Sequence, residues 1–516
     1  MTIQLPNATD INKVKTYIKH TWKTLTRSPK DLLAAARDPK IEHKSAQRWL
    51  VYVSPQEDLD RIKISLQQIL AEACQQIELR VLPAEVESIE EHGLLYLPHP
   101  YVVPGGRFNE MYGWDSYFII LGLLQDRELQ LAQNMVDQLA YEIEHYGMIL
   151  NANRTYLLTR SQPPIFTPAI LKVYEQLKDL RQPQISRPHE HTQDQQWLQS
   201  MLPTIETYYY YWNVPPHLNQ ATGLSHYAAL GHGPAPEVVV SELDEQGRTH
   251  YDRVKEYYRD FQFDDYDVNL YYDRQTDELS ELFYQGDRSM RESGFDITNR
   301  FGPFSIDIIH YAPVCLNVLL VQMEKDTAKI NEILGYEGIA TQWRDRASLR
   351  QERINQFLWD EEAGLYFDYN FRTGKRRQYE YATTFYPLWA GIASEEQGQR
   401  VWQNLAKFEQ PGGILTSTHV SGNQWDAPFG WAPLNLIAVE GLLRYGYEED
   451  AKRIAGKFLT MVVQEFNQTG TLVEKYDVCT CSANVSEEIL FGYSSNEIGF
   501  GWTNGVVLEL LRILEL

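Results

Sequence analysis

Five short segments of the chain gather cationic, acidic, amide and aromatic side chains at close spacing. The first, Pro104-Gly105-Gly106-Arg107-Phe108-Asn109-Glu110-Met111-Tyr112-Gly113-Trp114-Asp115-Ser116-Tyr117, begins with paired glycines that let a backbone turn sharply. Its Arg, Glu, Asp and aromatic residues supply a bidentate cation, acceptors for hydroxyl groups and flat faces for stacking. The second, Asn151-Ala152-Asn153-Arg154 followed by Arg160-Ser161-Gln162-Pro163-Pro164, adds amides and further arginines. The third is Arg291-Glu292-Ser293-Gly294-Phe295-Asp296, and the fourth is Gln424-Trp425-Asp426-Ala427-Pro428-Phe429-Gly430-Trp431-Ala432-Pro433. The fifth joins Glu474-Lys475-Tyr476-Asp477 to Phe500-Gly501-Trp502-Thr503-Asn504-Gly505. Each alone also suits a structural turn ahead of a capped helix, with Asp115 and Asp426 as natural N-caps. Five such segments in one chain point instead to a shared cleft.

Composition bounds what that cleft holds. Aromatic residues reach 12% of 516, with 33 Tyr and 12 Trp, and their flat faces with polar edges match the mixed CH and hydroxyl surface of a sugar as well as they fill a core. A net charge of −23 disfavours nucleic acid and anionic membrane surfaces, which need clustered Lys and Arg. The stretch Met1 to Lys23 mixes polar and apolar residues without an apolar run, so neither a secretory signal nor a membrane helix is expected and a cytoplasmic protein is the default. The four cysteines, Cys74, Cys315, Cys479 and Cys481, are too few for a disulfide scaffold. Cys479 and Cys481 lack a second pair at zinc spacing and read as reduced thiols in a loop.

The elements that must position these segments are helical. Ala132, Met135, Val136 and Leu139 fall at i, i+3, i+4 and i+7; Ala347, Arg350, Ile354 and Phe357 fall at i, i+3, i+7 and i+10, apolar apart from the arginine, and Ile454, Phe458, Met461 and Val462 fall at i, i+4, i+7 and i+8, each set on one face of a helix. Loops rich in Gly, Pro and aromatics, at 97–108, 160–168 and 231–236, read as walls of a cleft, and 182–196 reads as an exposed loop. Strand signals are sparse: only 364–369, after a turn at 360–364, reads as a hairpin arm. With motif loops spread from about residue 100 to 505 and helices between them, the expectation is one all-α domain over 1–516, with 1–90 as a helical extension packed on it.

The chain resembles the trehalase family, whose two signatures are matched by Pro104 to Tyr117 and by Gln424 to Pro433, with the Asn151 to Pro164 and Glu474 to Asp477 segments in the same order. The resemblance implies an (α/α)6 barrel with long active-site loops around a deep pocket, inverting hydrolysis of trehalose, and no cofactor or metal. Residue by residue it implies Asp296 as general acid and Glu474 as general base. Arg107, Phe108, Trp114, Asp115, Asn151, Arg160, Gln162, Glu237, Gly294 and Trp425 would bind the small-molecule sugar. Elementary chemistry agrees: inverting glycosidases hold a protonated carboxyl beside the leaving oxygen and an ionised one behind a water, roughly 6.5–9.5 Å apart.

The match departs at three places. Ala235 stands where the family has an arginine, so a cationic clamp is missing. The stretch Cys479 to Gly499 is poor in glycine where the family has a Gly-rich lid ending in an acid, with Tyr493 or a shifted Glu497 near that position. Phe295 replaces a tryptophan beside Asp296. Such changes on the leaving-group side alter discrimination, which leaves glucosylglycerol, sucrose or glucosylglycerate as alternative substrates. An inactive sugar-binding protein is the alternative from a different class, and a phosphorylase would need a basic cluster near Glu474 that the sequence lacks.

Overall fold

In the computed structural model, which describes residues 5–41, 48–180, 192–241, 243–244, 246–261, 266–485, 489–493 and 495–516, helix covers 54% of the chain and strand 12%, with no closed sheet among the described residues. Six helices close into a ring: Asp115–Gln125 packs on Phe166–Leu180, then Val314–Ile333, the short Tyr386–Trp389, Ala432–Arg444 and Gly501–Ile513, which returns to Asp115–Gln125. Gly501–Ile513 is buried nearly all round, with twelve of its thirteen residues buried, because it meets protein on every side.

A second layer covers them. Leu129–Tyr146, Leu202–Trp212, Glu337–Phe357 and Glu448–Thr469 pack outside the ring, and Ala8–Leu25 completes it against Glu448–Thr469 and Gly501–Ile513. Outer helices bury an apolar stripe that follows the sequence periodicity, and Leu129–Tyr146 is buried more widely toward its C-terminal end. Ala132, Met135, Val136 and Leu139 are that stripe in one, and Ile454, Phe458, Met461 and Val462 in another. Arg350, the polar exception in the third pattern, is buried because its Nε donates to Glu324 Oε1 at 2.9 Å. This is the double ring of helices expected from the sequence.

Ring closure requires one very close approach. A Cβ on Gly505 would stand 1.9 Å from the carbonyl oxygen of Phe118, and one on Gly122 would stand 2.6 Å from the Cα of Gly505. The two glycines let Asp115–Gln125 and Gly501–Ile513 meet backbone to backbone. Gly505→Ala is therefore expected to destabilise the protein by about 1–3 kcal/mol, read as a lowered urea midpoint, since no flexible side chain is there to give way. An unchanged midpoint would mean that the helices separate freely.

The sequence reading needs correction in two places. Residues 1–90 are not simply helical: Trp49–Val53 and Ile77–Val81 pair in parallel, with Leu94–Leu95 on the other edge and Leu59–Leu70 as the crossover helix. This unit has its own small core of Val51, Val53, Ile62, Leu66 and Ile77. Trp49–Val53 is an apolar run with no alternation to mark it, whereas Ile77–Val81 alternates apolar and polar residues and is mostly half-buried, so its strand signal is present in the sequence. Of the expected loop at 182–196, residues 182–191 lie outside the described residues, while Gln193 onward forms a helix, Gln193–Ser200, with Thr192 and Gln195 as a capping box. The hairpin is present, as Leu365–Tyr366 paired antiparallel with Trp359–Asp360.

The motif segments enter the ring at one rim. Residues 104–114, 151–165, 291–313, 424–431 and 474–500 lead into the N-terminal ends of five ring helices. Segments that lie hundreds of residues apart in the chain thus meet above the ring.

Candidate active site

The five segments line one shared cavity. All twelve residues singled out from the sequence line it: Asp296 and Glu474 together with Arg107, Phe108, Trp114, Asp115, Asn151, Arg160, Gln162, Glu237, Gly294 and Trp425.

Glu474 directly precedes the strand Lys475–Asp477, which pairs antiparallel with Phe429–Trp431 and so fuses the fourth and fifth segments. Its main chain is fixed on both sides: the N–H donates to Glu497 O at 3.0 Å and the carbonyl accepts from Trp502 Nε1 at 3.1 Å. Tyr493 donates its hydroxyl to Glu474 Oε1, and Lys475 Nζ stands 3.6 Å from Oε2. Burial pushes the Glu474 carboxyl up, while Lys475, Tyr493 and Arg107 pull it back toward the ionised form. Lys475 is itself lowered to about 8 by burial.

Asp296 follows the helix Glu281–Glu292 and stays partly open to the cavity, its side chain 32% exposed with Arg291 Nη1 3.8 Å from Oδ2. Its loop is tied to the fourth segment, because Gln424 Nε2 donates to Asp296 O and the Trp425 N–H donates to Ile297 O at 3.0 Å. Asp115 lies between the two acids in electrostatic terms: burial first, then Glu474 and Asp296, hold its carboxyl well above the usual range. Burial and its two acidic neighbours thus both favour the neutral form of this carboxyl.

The remaining groups form a wall of donors and a wall of rings. Arg160 Nη2 reaches Glu237 Oε1 at 2.5 Å, Gln162 Oε1 accepts the Trp114 N–H at 2.8 Å, and Asn151 Nδ2 donates to Arg291 O at 3.4 Å. Trp114 meets Phe295 and Trp425 with centroids 5.7 and 6.2 Å apart, and Trp425 stacks on Trp431 at 3.8 Å. Arg107 lies against the Tyr493 ring at 4.2 Å, and its N–H donates to Glu497 Oε2 at 3.0 Å. That last contact needs Gly106, where any Cβ would lie 1.9 Å from Glu497 Oε2.

Several readings of the motifs change. Neither Asp115 nor Asp426 caps a helix: Asp115 is the first helical residue, with no side-chain cap bond at the helix start, and Asp426 is a buried acceptor for Thr298, Ser417, Ser421 and the Asn299 N–H. Glu110 and Arg154, though inside the motifs, are buried behind the cavity in an ion cluster with Asp38 and Lys40. Tyr112, Arg291, Tyr493, Phe500 and Trp502 line the cavity without having been singled out as binding residues. All but Tyr493 lie in the five segments, so the signal was present, but spacing in a loop does not tell which side chain turns inward. Ala235 is buried, and its N–H donates to Tyr251 OH at 2.9 Å, which in turn donates to Asp287 at 2.8 Å. Asp287 also holds the Arg291 guanidinium at 3.3 Å, so a cation enters the pocket from the third segment rather than from position 235.

A double ring of helices with one acid-lined pocket, walled by aromatic rings and hydrogen-bonding side chains, defines a glycoside hydrolase of the helical-barrel class. The trehalase family model matches residues 3–515, and the chain belongs to the trehalase family. It is 35% identical to the cytosolic neutral trehalase of Kluyveromyces lactis over 97% of this chain and 71% of that one. To the cytosolic neutral trehalase of Saccharomyces cerevisiae it is also 35% identical, over 98% and 72%. The solved neutral trehalase Nth1 from Saccharomyces cerevisiae superposes with a TM-score of 0.79 at 32% identity, covering 98% of this chain and 94% of that one. A GH63 mannosylglycerate hydrolase from Thermus thermophilus, at 19% identity and a TM-score of 0.51 over 79% of this chain and 95% of that one, shares the fold alone.

Proposed function

We propose that this protein hydrolyses trehalose to two glucose molecules with inversion, using Asp296 as acid and Glu474 as base. The observation that carries the reading is the convergence of both carboxylates and all ten sugar-binding candidates on one pocket in a trehalase-family chain. The relatives' naming as cytosolic enzymes supports the cytoplasmic placement, and no helix among the described residues is long and apolar enough to cross a membrane.

In this reading Asp296 gives its proton to the bridging oxygen as the bond from that oxygen to the anomeric carbon breaks. A water on the opposite face forms the new carbon–oxygen bond and gives its proton to Glu474. Asp115 hydrogen-bonds a sugar hydroxyl, while Arg107, Arg160, Asn151 and Gln162 fix the ring and Trp425 supplies an apolar face. The rings and the buried walls exclude bulk water, which strengthens each of these interactions.

Inversion at one centre and release at the other yield one β-glucose and one α-glucose per turnover. Proton NMR in the first minutes is expected to show both anomers in equal amounts; exclusively α-glucose would mean retention and a covalent intermediate, and would overturn the base assignment. On a panel of trehalose, glucosylglycerol, glucosylglycerate, sucrose and maltose, kcat/KM is expected to be highest for trehalose. A higher value for glucosylglycerol would assign Ala235 and its surroundings to a different leaving group.

A further inference from the structure

The lid segment of this chain places a tyrosine on the candidate base. We propose that Tyr493 is a positioning residue that locks the Glu474 carboxylate through Oε1 and leaves Oε2 as the only oxygen free to take the proton of the attacking water. The proposal rests on the reading of Glu474 as base.

Three observations carry it. Tyr493 OH donates to Glu474 Oε1, whereas Glu474 Oε2 is buried with no hydrogen-bond partner and with Lys475 Nζ no nearer than 3.6 Å. A buried carboxylate oxygen without a donor is costly unless a ligand or water completes it. The phenol is itself held on several sides: the Arg107 guanidinium lies 4.2 Å and Lys475 Nζ 3.9 Å from its ring, Phe108 meets it edge-on at 5.8 Å, and Lys475 Nζ donates to its backbone carbonyl at 3.2 Å. Two residues earlier, Phe491 anchors the same segment against Phe304 at 4.7 Å and Tyr257 at 5.7 Å, and Arg253 Nη1 donates to Leu490 O at 3.0 Å.

A carboxylate free to rotate presents either oxygen to water; one pinned through Oε1 presents a single lone-pair direction. The phenol can play this part at any working pH, since burial and the neighbouring Glu474 and Asp296 charges raise it well above its usual range and keep it a donor. Its bond favours the ionised carboxylate and opposes burial. Lys475 and Arg107 act in the same direction, while Glu497 acts against it. Asp115 is also coupled to Glu474, and Asp296 to the Tyr493 phenol.

Tyr493→Phe keeps the ring against Arg107 and Lys475 and removes only the hydroxyl. On trehalose, kcat is expected to fall about tenfold or more with KM within about twofold, and the acidic limb of the kcat/KM profile is expected to move up by about one pH unit. An unmoved acidic limb with wild-type kcat, or a change confined to KM, would overturn the proposal. Glu474→Gln, assayed beside it, separates the two readings. If that variant keeps full activity, the base assignment itself has failed; if it is inactive while Tyr493→Phe behaves as wild type, only the role of Tyr493 has failed. Near-ultraviolet circular dichroism of Tyr493→Phe, matched to wild type, confirms that the loss is not one of folding.

Discussion

Asp296→Asn and Glu474→Gln are each expected to lower kcat on trehalose by about 10²–10⁴-fold while the protein stays folded, the range for removing one general acid or base. Both side chains line the cavity without being structural hubs: Asp296 is partly open and faces Arg291, and Glu474 offers Tyr493 one oxygen and keeps the other free. The two variants should part on α-glucosyl fluoride. Fluoride leaves without a proton, so Asp296→Asn should recover much of its rate on that substrate, whereas Glu474→Gln, which cannot accept a proton from water, should stay slow. The reverse pattern would exchange the two roles. Equal recovery, or near wild-type activity of either variant on trehalose, would remove both residues from the chemistry.

The second large effect is expected far from the reacting bond. Arg154 donates from Nε to Glu110 Oε1 at 2.8 Å and from its terminal nitrogens to the carbonyls of Ala35, Ala36 and Arg37, and lies 3.4 Å from Asp38 Oδ2. Lys40 joins Asp38 at 2.9 Å and Glu110 at 2.7 Å, and Tyr156 OH donates to Asp38 at 2.7 Å. The cluster is buried and balances two cations against two anions. Arg154→Met would leave two carboxylates facing one lysine and three carbonyls without a donor, at a cost of about 3–5 kcal/mol. The loss should appear as a lower Tm at pH 7, and adding Glu110→Gln should restore part of it by rebalancing charge. A Tm unchanged by Arg154→Met would show that the cluster is not needed for stability.

The pH dependence of this cluster has a definite sign. Burial alone would raise the Asp38 carboxyl, but Arg154 and Lys40 outweigh it and hold the group well below the usual carboxylate range. Its folded value lies below its unfolded value of about 3.9, so the contribution is complete above about pH 4 and is lost as pH falls further. In Arg154→Met that acid-dependent part should shrink, and the Tm of variant and wild type should converge at low pH.

The cluster also shows where reading the sequence stops. Glu110 and Arg154 stand in the same motif surroundings as Arg107 and Arg160, and Arg154 is of the same type as those two, yet Glu110 and Arg154 tie the loops to residues 35–40 while Arg107 and Arg160 line the pocket. Local spacing could not separate them, because the direction of a loop side chain is set by what packs beneath it. Of the parallel strands, 49–53 was illegible because an unbroken apolar run has no alternation to read, whereas 77–81 does alternate and was legible in principle.

Helical periodicity, the five segments and the two carboxylates were determined by the sequence alone, since the period of an apolar face and the chemical types of side chains are local properties. That sufficed for the helical class; the family and the twelve site candidates came from the resemblance of the motifs to the trehalase family, which did not single out Tyr112, Arg291, Tyr493, Phe500 and Trp502 of the lining. Tertiary structure alone decided the contacts between distant loops: Tyr493 on Glu474, Glu497 on the turn at Gly106, and Arg291 supplying the cation that position 235 does not. These depend on closing the ring of helices, which brings the N-terminal ends of helices far apart in the chain to one rim. No short-range pattern encodes that closure, because it is the summed packing of every helix on its neighbours.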